Sequence, residues 1–254
     1  MEEKGVATLE RALTILAAFT AAEPQLSLAE LSRRTGLYKS TLLRLLATLE
    51  RFDYVGQHAD GSYHVGPGAF YLGSLYQRWV QPPTLIQPVL QQLVASTGES
   101  ASFNVPQGEV RVCVYRIDSP HTIRDHIRVG DVLPMAQGAV GRLLRAFGVA
   151  ATDALDPALD DVRRQCSVAT RGEIAADMAA VAVPVFAAGP GGGDAVLAGS
   201  LALTGPTSRF TDATMPGMRR HLLQAAADLS YRLGGRHPGL EAAAAQAGAS
   251  LQNL

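Results

Sequence analysis

Residues 27–51, SLAELSRRTGLYKSTLLRLLATLER, contain two short helical patterns separated by one glycine. Ser27 precedes the first pattern, and Glu30 lies three residues after Ser27. This spacing is the capping-box arrangement at a helix start. Gly36 ends this helix, because glycine adopts the left-handed conformation after a last helical turn at least cost. Two helices joined by such a tight turn predict a helix-turn-helix.

The second helix of this motif is predicted to begin near Tyr38 and to bury one apolar face. Four leucines at helical spacing form that buried stripe: Leu42, Leu45, Leu46 and Leu49. Early residues on the outward face of a recognition helix meet base edges in the major groove, while Ser, Thr and Arg also bond to phosphates. The predicted DNA-contacting residues of the motif are Ser27, Arg34, Lys39, Ser40, Thr41, Leu43, Arg44 and Thr48.

Local charge favours a nucleic-acid partner for this segment. Residues 28–51 contain five basic and two acidic side chains, a net charge of +3, whereas the whole chain carries −1. Binding must therefore be local rather than a bulk electrostatic effect. The alternative is a three-helix cap that packs on the rest of the chain with its arginines in solvent.

The sequence on both sides of the motif predicts the rest of a small DNA-binding domain. A first amphipathic helix is indicated by apolar residues at helical spacing: Leu9, Ala12, Leu13, Leu16 and Phe19. Downstream, Asp60-Gly61 lies between two short alternating runs, the strongest short-range signal for a hairpin. We expect a wing in which His58 and Ser62 approach the DNA backbone or the minor groove; the alternative is a bare connector.

After this region, helical and strand patterns alternate. A helix through Phe70 and Trp79 ends at Pro82-Pro83 and is predicted to link two domains. The remainder predicts an α+β half. Its helices are expected near 86–98, 138–147 and 213–233, and its strands around Phe103 and over 110–117, 123–129, 179–186 and 196–203. An Ala-rich tail, helical or frayed, follows.

Composition sets limits on the class of protein. With 254 residues, 47% hydrophobic and 18% charged, the chain predicts a globular protein of two domains and excludes disorder or a coiled-coil rod. Cys113 and Cys166 form neither a disulfide framework nor a zinc motif, so we expect a reducing cytoplasm. The start of the chain lacks a signal-peptide pattern and no apolar run is long enough to span a bilayer, so no membrane partner is expected.

Enzyme classes find little support in the sequence. The chain has no G-x-S-x-G, P-loop, H-E-x-x-H or G-x-G-x-x-G motif. His121 and His126 would fall on opposite faces of the predicted strand, and a buried Cys113 would pack as a small hydrophobe. We therefore expect no catalytic residue, no metal and no cofactor. A DNA-binding structural protein without a ligand is a further alternative, against which the size of the second half argues.

Several stretches of the chain carry a family resemblance. In the first part they are LERALTIL (9–16), SLAEL (27–31), TGLYKSTLLRLL (35–46) and YHVG (63–66). In the second they are GDVLPMA (130–136), GAVGRLL (138–144), AVPVF (182–186) and LTGP (203–206). These stretches resemble the IclR family of bacterial transcriptional regulators, over nearly the whole chain.

The resemblance implies a two-domain α+β protein. It predicts a winged helix-turn-helix at 1–67, a linker helix at 68–83, a GAF-like mixed α/β domain for effector binding and oligomerisation at 84–236, and an Ala-rich tail at 237–254. It also implies a homodimer or homotetramer that binds palindromic operators in double-stranded DNA. The implied function is sequence-specific regulation of transcription, modulated by a small organic acid or related metabolite.

The resemblance also implies an effector pocket. Its anion end is expected at a helix N-terminus formed by Met135, Gly138, Ala139 and Val140, where free amides and the helix dipole suit a carboxylate. The other implied lining residues are Phe103, Cys113, Tyr115, Asp177, Val183, Pro184, Ala202 and Thr204. For each of these residues, ordinary core packing is the alternative.

This sequence departs from the family pattern at four positions. Asp177 stands where glycine is common, and Ala202 stands where members that bind small keto acids have a hydroxyl. These two changes favour an aromatic acid or a neutral aromatic metabolite over a small keto acid. Asp53 also stands in place of a usual glycine, and Tyr38 replaces a frequent proline.

Overall fold

The computed structural model describes residues 5–20, 22–80, 82–148 and 156–249. The chain divides into two compact units, Met1–Trp79 and Val80–Leu254. The outer ends of the predicted DNA-binding domain and of the predicted tail, residues 1–4 and 250–254, lie outside the described residues.

The first unit consists of helices and a small antiparallel sheet. Its helices are α1 (Ala7–Ala17), α2 (Leu28–Thr35), α3 (Lys39–Arg51) and α4 (Pro67–Val80). Its strands are β1 (Gln25–Leu26), β2 (Val55–Gln57) and β3 (Tyr63–Val65), in the order β1-β3-β2. The predicted hairpin is the β2–β3 pair, whereas β1 had no signal in the sequence because it is only two residues long.

Local contacts explain the turn between α2 and α3. The Ser27 hydroxyl accepts a hydrogen bond from the Glu30 amide at 3.2 Å and so caps α2. Gly36 ends α2 with φ of 69°, in the left-handed region. Ser32 then donates its hydroxyl to the Leu37 carbonyl at 2.7 Å, which holds the turn against α2. These contacts set where α3 begins.

The core of the first unit differs from the predicted stripes in α1 and in α3, where Leu45 and Leu49 are only half-buried. Its buried residues are Ile15, Leu26, Leu31, Leu42, Leu46, Val55 and Tyr63. In α1, Leu9 and Leu13 are 58% and 56% exposed, so the prediction that they face this core was wrong; Ile15 takes that place. The Glu30 carboxylate binds Arg33 and Arg34, so the second half of the predicted capping box lacks support.

The second unit is a six-stranded antiparallel sheet with helices on both sides. Its strands are β4 (Ser100–Gln107), β5 (Val110–Ile117), β6 (Val132–Pro134), β7 (Val168–Arg171), β8 (Met178–Ala187) and β9 (Val196–Pro206), in the order β6-β5-β4-β9-β8-β7. Its α-helices are α5 (Pro83–Thr97), α6 (Gly138–Phe147), α7 (Asp160–Gln165), α8 (Met215–Arg232) and α9 (Pro238–Ala249). Short 3₁₀ turns span Pro157–Leu159 and Pro190–Gly192.

Strand register divides the side chains between the two faces of this sheet. Ala180 pairs with Thr204 and Ala182 with Ala202, so these residues share one face. Ala182 and Ala202 belong to the apolar core formed with α6. The other face, which carries Val183 and Leu201, is left for α5 and α8; these helices contact β4, β5, β8 and β9.

Two predictions for the second unit need correction, and the alternative left open for the tail is decided. Residues 123–129 form no strand; they are irregular, and Ile123 is exposed because no neighbouring strand pairs with this segment. The stretch between the helix expected at 138–147 and the strand expected at 179–186, where no helix or strand is predicted, contains α7 and β7, although residues 149–155 lie outside the described part of the chain. The tail is helical, and α9 buries Leu240, Ala243 and Ala244.

These elements confirm the predicted fold class, an α+β protein with an N-terminal winged helix-turn-helix and a C-terminal mixed α/β unit. Among the described helices, none has the length and apolar content needed to cross a bilayer.

The left-handed turn predicts the response to a single methyl group. Gly36→Ala places a Cβ at φ of 69°, which should lower the free energy of unfolding of the first unit by about 1 kcal/mol. Gly73→Ala is the matched control, since Gly73 lies within α4 with open space around its Cα, and alanine there should add about 0.5–1 kcal/mol. Urea unfolding followed by circular dichroism measures both, and equal effects would contradict the assignment of strain.

Candidate functional site

The outward face of α3 forms the first candidate surface. Leu42 and Leu46 are fully buried, so the helix turns its opposite side to solvent. Five of the residues predicted from the sequence are exposed there: Lys39, Ser40, Leu43, Arg44 and Thr48. Thr41 is half-buried. The Thr48 hydroxyl donates to the Arg44 carbonyl at 3.1 Å, while the Arg44 guanidinium has no partner among the described residues.

Arg34 is committed to the interior of the first unit. Its guanidinium binds the carboxylates of Glu23 at 2.5 Å and Glu30 at 2.7 Å, and it donates to the Ala18 carbonyl at 3.0 Å. Hydrogen bonds from Arg33 and then Arg34 lower the pKa of Glu30 to about 2. Arg34 therefore joins α2 to the segment that follows α1, and this geometry does not support the prediction that it contacts DNA.

The hairpin carries the two predicted wing residues at its tip. His58 is exposed, bonds to Gln25 at 3.1 Å and contacts His64 in a tilted arrangement with 4.4 Å between ring centroids. Ser62 donates its hydroxyl to Asp60 at 2.7 Å, and this bond lowers the pKa of Asp60. The tip is therefore held in shape by its own polar side chains.

Two residues missed by sequence reasoning lie beside this surface. Tyr38, the N-cap of α3, is 83% exposed and so places an aromatic ring at the start of the recognition helix. Gln25 of β1 reaches the hairpin through His58. The position of Tyr38 just before α3 was a usable signal, whereas Gln25 depends on a strand pairing that the sequence did not indicate.

A cavity of about 520 Å³ in the second unit forms the second candidate site. Three parts of the chain supply its walls: the irregular segment 122–131, the β7–β8 hairpin from Thr170 to the start of β8, and Thr204 of β9. The lining residues that bear on its chemistry are Ile123, Arg124, Asp125, His126, Ile127, Asp131, Thr170, Glu173, Ile174, Asp177, Met178 and Thr204.

Ion pairs, of which Arg116–Asp125 is buried, stabilise the cavity walls. Arg116, which is 4% exposed, bonds to Asp125 at 2.6 Å and to Asp118 at 2.7 Å. Asp125 also accepts a hydrogen bond from the Ile127 amide at 3.0 Å. On the other wall, Glu173 pairs with Arg142 at 2.7 Å. The irregular segment 122–131 is thus held by charge-assisted bonds rather than by a strand ladder.

Of the predicted effector residues, Asp177 and Thr204 line this cavity. Asp177 is exposed, and Thr204 is buried opposite Ala180. The Thr204 hydroxyl has no hydrogen-bond partner among the described residues. These two residues are therefore the ones that the family resemblance implies for the effector pocket and that also line this cavity.

The other predicted effector residues are buried outside the cavity lining. Phe103 pairs with Tyr115 and Leu201, so Phe103, Tyr115 and Val183 share the face that is turned away from α6. Ala202 is in the core with α6, and Cys113 and Pro184 are likewise buried. For these six residues, the structure favours the core-packing alternative.

The expected anion end at α6 is occupied by side chains of the protein itself. The Ala139 amide donates to the Thr170 hydroxyl at 3.2 Å. Buried Arg111 donates to the carbonyls of Pro134 and Gln137, both at 2.8 Å, and burial lowers the pKa of its guanidinium. Gly138 lies against Ile174, and Met135 and Val140 are in the core. Thr170 separates this helix start from the cavity.

Neither the thiols nor the histidines form a reactive cluster. Within the described ranges, no group of three His, Cys, Asp or Glu residues is arranged to hold a metal ion. His121 and His126 lie in the irregular segment, so the argument from strand alternation does not apply to them. Burial raises the pKa of Cys113 to about 12 and that of Cys166 to about 11.

These raised pKa values predict slow thiol chemistry. At pH 8 both cysteines stay protonated and buried, so a disulfide reagent should label neither thiol of the native chain within minutes, yet label both in denaturant. Colorimetric thiol titration gives the count. Rapid labelling of Cys113 in the native chain would contradict its burial.

Two family models match the chain. Residues 8–59 match the IclR helix-turn-helix domain, and residues 83–154 and 148–231 match the C-terminal domain of the bacterial transcriptional regulator IclR. The second match alone spans more than half of the chain.

Full-length relatives agree with these matches. The chain is 28% identical to the transcriptional regulator XynR of Escherichia coli K12, over 90% of this chain and 98% of XynR. A crystal structure from Silicibacter sp. TM1040, assigned to the IclR regulators, is 27% identical with a TM-score of 0.71, covering 91% of this chain and 98% of that one. An IclR homologue of Microbacterium hydrocarbonoxydans in complex with 4-hydroxybenzoate is 20% identical with a TM-score of 0.73, covering 89% and 98%.

Proposed function

Because this chain belongs to the IclR family of bacterial transcriptional regulators, we propose that α3 reads a specific operator and that a small molecule in the second unit modulates this binding. The observation that carries the proposal is the exposed face of α3. Lys39, Ser40 and Arg44 are free there, on a helix whose other side is fixed by the core.

The proposed DNA interface combines base and phosphate contacts. Arg44 has the length and the free guanidinium to fork onto a guanine, and Leu43 beside it suits a thymine methyl. Lys39, Ser40 and Thr48 suit phosphates or base edges, and Ser27, Thr41, His58 and Ser62 complete the predicted set. We add Tyr38 to the proposed DNA-contacting residues because it is exposed at the start of α3. We omit Arg34 because its guanidinium is bonded within the first unit.

The proposed effector site is the cavity lined by Asp177 and Thr204. Its volume of about 520 Å³ falls in the range of small-molecule sites, and its mixture of apolar walls with a few polar groups is typical of them. The relative from Microbacterium binds 4-hydroxybenzoate in a chain of the same fold. A small aromatic metabolite is therefore a reasonable class of effector for this chain.

We further propose that two copies associate through apolar faces of the first unit. In α4, Phe70, Tyr71, Leu72 and Leu75 are all exposed, and in α1 Leu9 and Leu13 are exposed. Exposed apolar side chains grouped on a helix mark interaction surfaces. A dimer would place its two recognition helices at half-sites about 34–36 Å apart, which is the spacing of a palindromic operator. We expect this binding to occur in the cytoplasm.

The effector would act on the spacing of the two recognition helices. A ligand shifts an equilibrium between arrangements only by the difference in its affinity for them. The direction of the response therefore follows from which arrangement closes the cavity better, and the operator affinity with and without ligand measures it.

Replacing the central arginine tests the interface. Arg44→Ala should weaken binding to an operator selected from random DNA by the unmodified protein by about 1–3 kcal/mol, because a bidentate contact to guanine is lost. Fluorescence anisotropy at fixed salt gives the affinities. Arg232→Ala is the matched control, since it removes the same charge from an exposed position of α8 in the other unit.

An unchanged affinity for Arg44→Ala, or an equal loss for Arg232→Ala, would remove Arg44 from the interface. A loss that disappears when the guanine is substituted in the operator would instead identify the base it reads.

The association surface is tested by one charge. Leu72→Glu should shift the chain from dimer to monomer at micromolar concentration, because a carboxylate would be buried in an apolar contact. Leu43→Glu is the control on α3: both leucines are 48% exposed, and this change should reduce operator binding while leaving the mass unchanged. Light scattering after size exclusion reports the mass, and a dimeric Leu72→Glu protein would place the contact elsewhere.

A further inference from the structure

The cavity that we assign to the effector has a definite charge pattern. We propose that it selects a ligand with an apolar body and a cationic, hydrogen-bond-donating head such as an ammonium group, and that it disfavours a carboxylate. This inference rests on the proposed function, because it names the class of effector for that same cavity.

The apolar part of the ligand is indicated by the walls. Ile123, Ile127, Ile174 and Met178 line the cavity together with three alanines, 175, 179 and 180. The irregular segment supplies Ile123 and Ile127. The β7–β8 connection and the start of β8 supply the other apolar side chains. A ring or branched aliphatic group would be desolvated against them.

Carboxylates dominate the polar part of the lining. Asp125, Asp131, Glu173 and Asp177 all line the cavity, against one guanidinium, that of Arg124. Arginines outside the lining neutralise Asp125 and Glu173. Among the described residues, neither Asp131 nor Asp177 has a salt bridge, although Asp131 Oδ2 accepts a hydrogen bond from the Arg128 amide at 2.8 Å, so the lining carries two negative charges without a counter-ion.

Two buried oxygens on the same walls lack partners. Asp125 has a side chain that is 9% exposed, and its Oδ2 has no hydrogen-bond partner in the described chain. Thr204 is 7% exposed, and its hydroxyl is unpartnered as well. An ionised carboxylate oxygen only accepts hydrogen bonds, so the group that satisfies Asp125 must be a donor.

The positive groups near the cavity do not offset this pattern. Arg116 has an unpartnered Nη1, but it does not belong to the lining and its charge is shared by Asp125 and Asp118. Arg124 is 43% exposed and lies 3.4 Å from Asp118. His126 is exposed at the rim, and the start of α6 has its Ala139 amide bonded to Thr170. A carboxylate would therefore meet two acids without a counter-ion and no unpaired cation in the lining.

Three probes that differ only in their head group test the charge preference. Benzylamine is a cation at pH 7, benzyl alcohol is neutral and benzoate is an anion, while the ring is shared. Isothermal titration of the full chain should show benzylamine binding at least tenfold more tightly than benzoate, with benzyl alcohol in between. Operator binding is measured on the same preparation.

Isosteric variants locate the preference. Asp177→Asn should lower the affinity for benzylamine about tenfold, because one negative charge is removed without a change of shape. The ratio of the benzylamine affinity to the benzoate affinity should fall as well. Asp228→Asn is the matched control, an exposed carboxylate on α8 outside the lining. Thr204→Val should weaken benzylamine and benzyl alcohol together, since it removes an acceptor for both.

The outcomes separate the two proposals. Benzoate binding as tightly as benzylamine, or no measurable binding of benzylamine, overturns the cationic class while intact operator binding leaves the proposed regulator standing. Loss of operator specificity in the unmodified protein overturns the proposed function independently of any ligand. Equal effects of Asp177→Asn and Asp228→Asn overturn the role of Asp177.

Discussion

Core packing leaves parts of a helix or strand uncovered, and both candidate sites of this chain lie on such parts. In α3, burial of Leu42 and Leu46 turns Lys39 and Arg44 outward. In β8 and β9, the pairing of Ala182 with Ala202 places both residues under α6. Thr204 lies on the same face, two residues further along β9, and lines the cavity. Packing thus determines which side chains are free to bind, before any specific chemistry is considered.

Local signals in the sequence predicted the helix-turn-helix well, because its determinants are neighbours in the chain. The cap at Ser27 and the turn at Gly36 act within four residues and appear where expected. Asp53 shows the same locality: it stands in place of a usual glycine and adopts φ of 61°, a conformation that aspartate tolerates better than most residues. Arg34 could not be assigned in this way, since its partner Glu23 lies eleven residues away.

The cavity was less predictable because its walls depend on contacts between distant segments. The apolar run at 123–129 has the composition of a strand, yet no neighbouring strand pairs with it. The bond from Arg116 to Asp125 holds it as an irregular wall instead. Family resemblance named Asp177 and Thr204, which line one cavity in the structure, but it could not distinguish the two faces of the sheet. That distinction depends on strand register, which sends Phe103 and Tyr115 to the opposite side.

The same non-local arrangement explains why the head of an effector cannot be inferred from α6 alone. A helix start with free amides favours an anion, and the sequence pattern at 135–140 has that form. In the folded chain, Thr170 accepts the Ala139 amide and Arg111 donates to two nearby carbonyls, so one amide of the α6 start and the neighbouring cation are already engaged. The electrostatic character of the cavity then comes from the segments that cover it, and in these segments Asp131 and Asp177 remain uncompensated. Effector chemistry in this fold can therefore change through loop residues while the sheet and α6 stay the same.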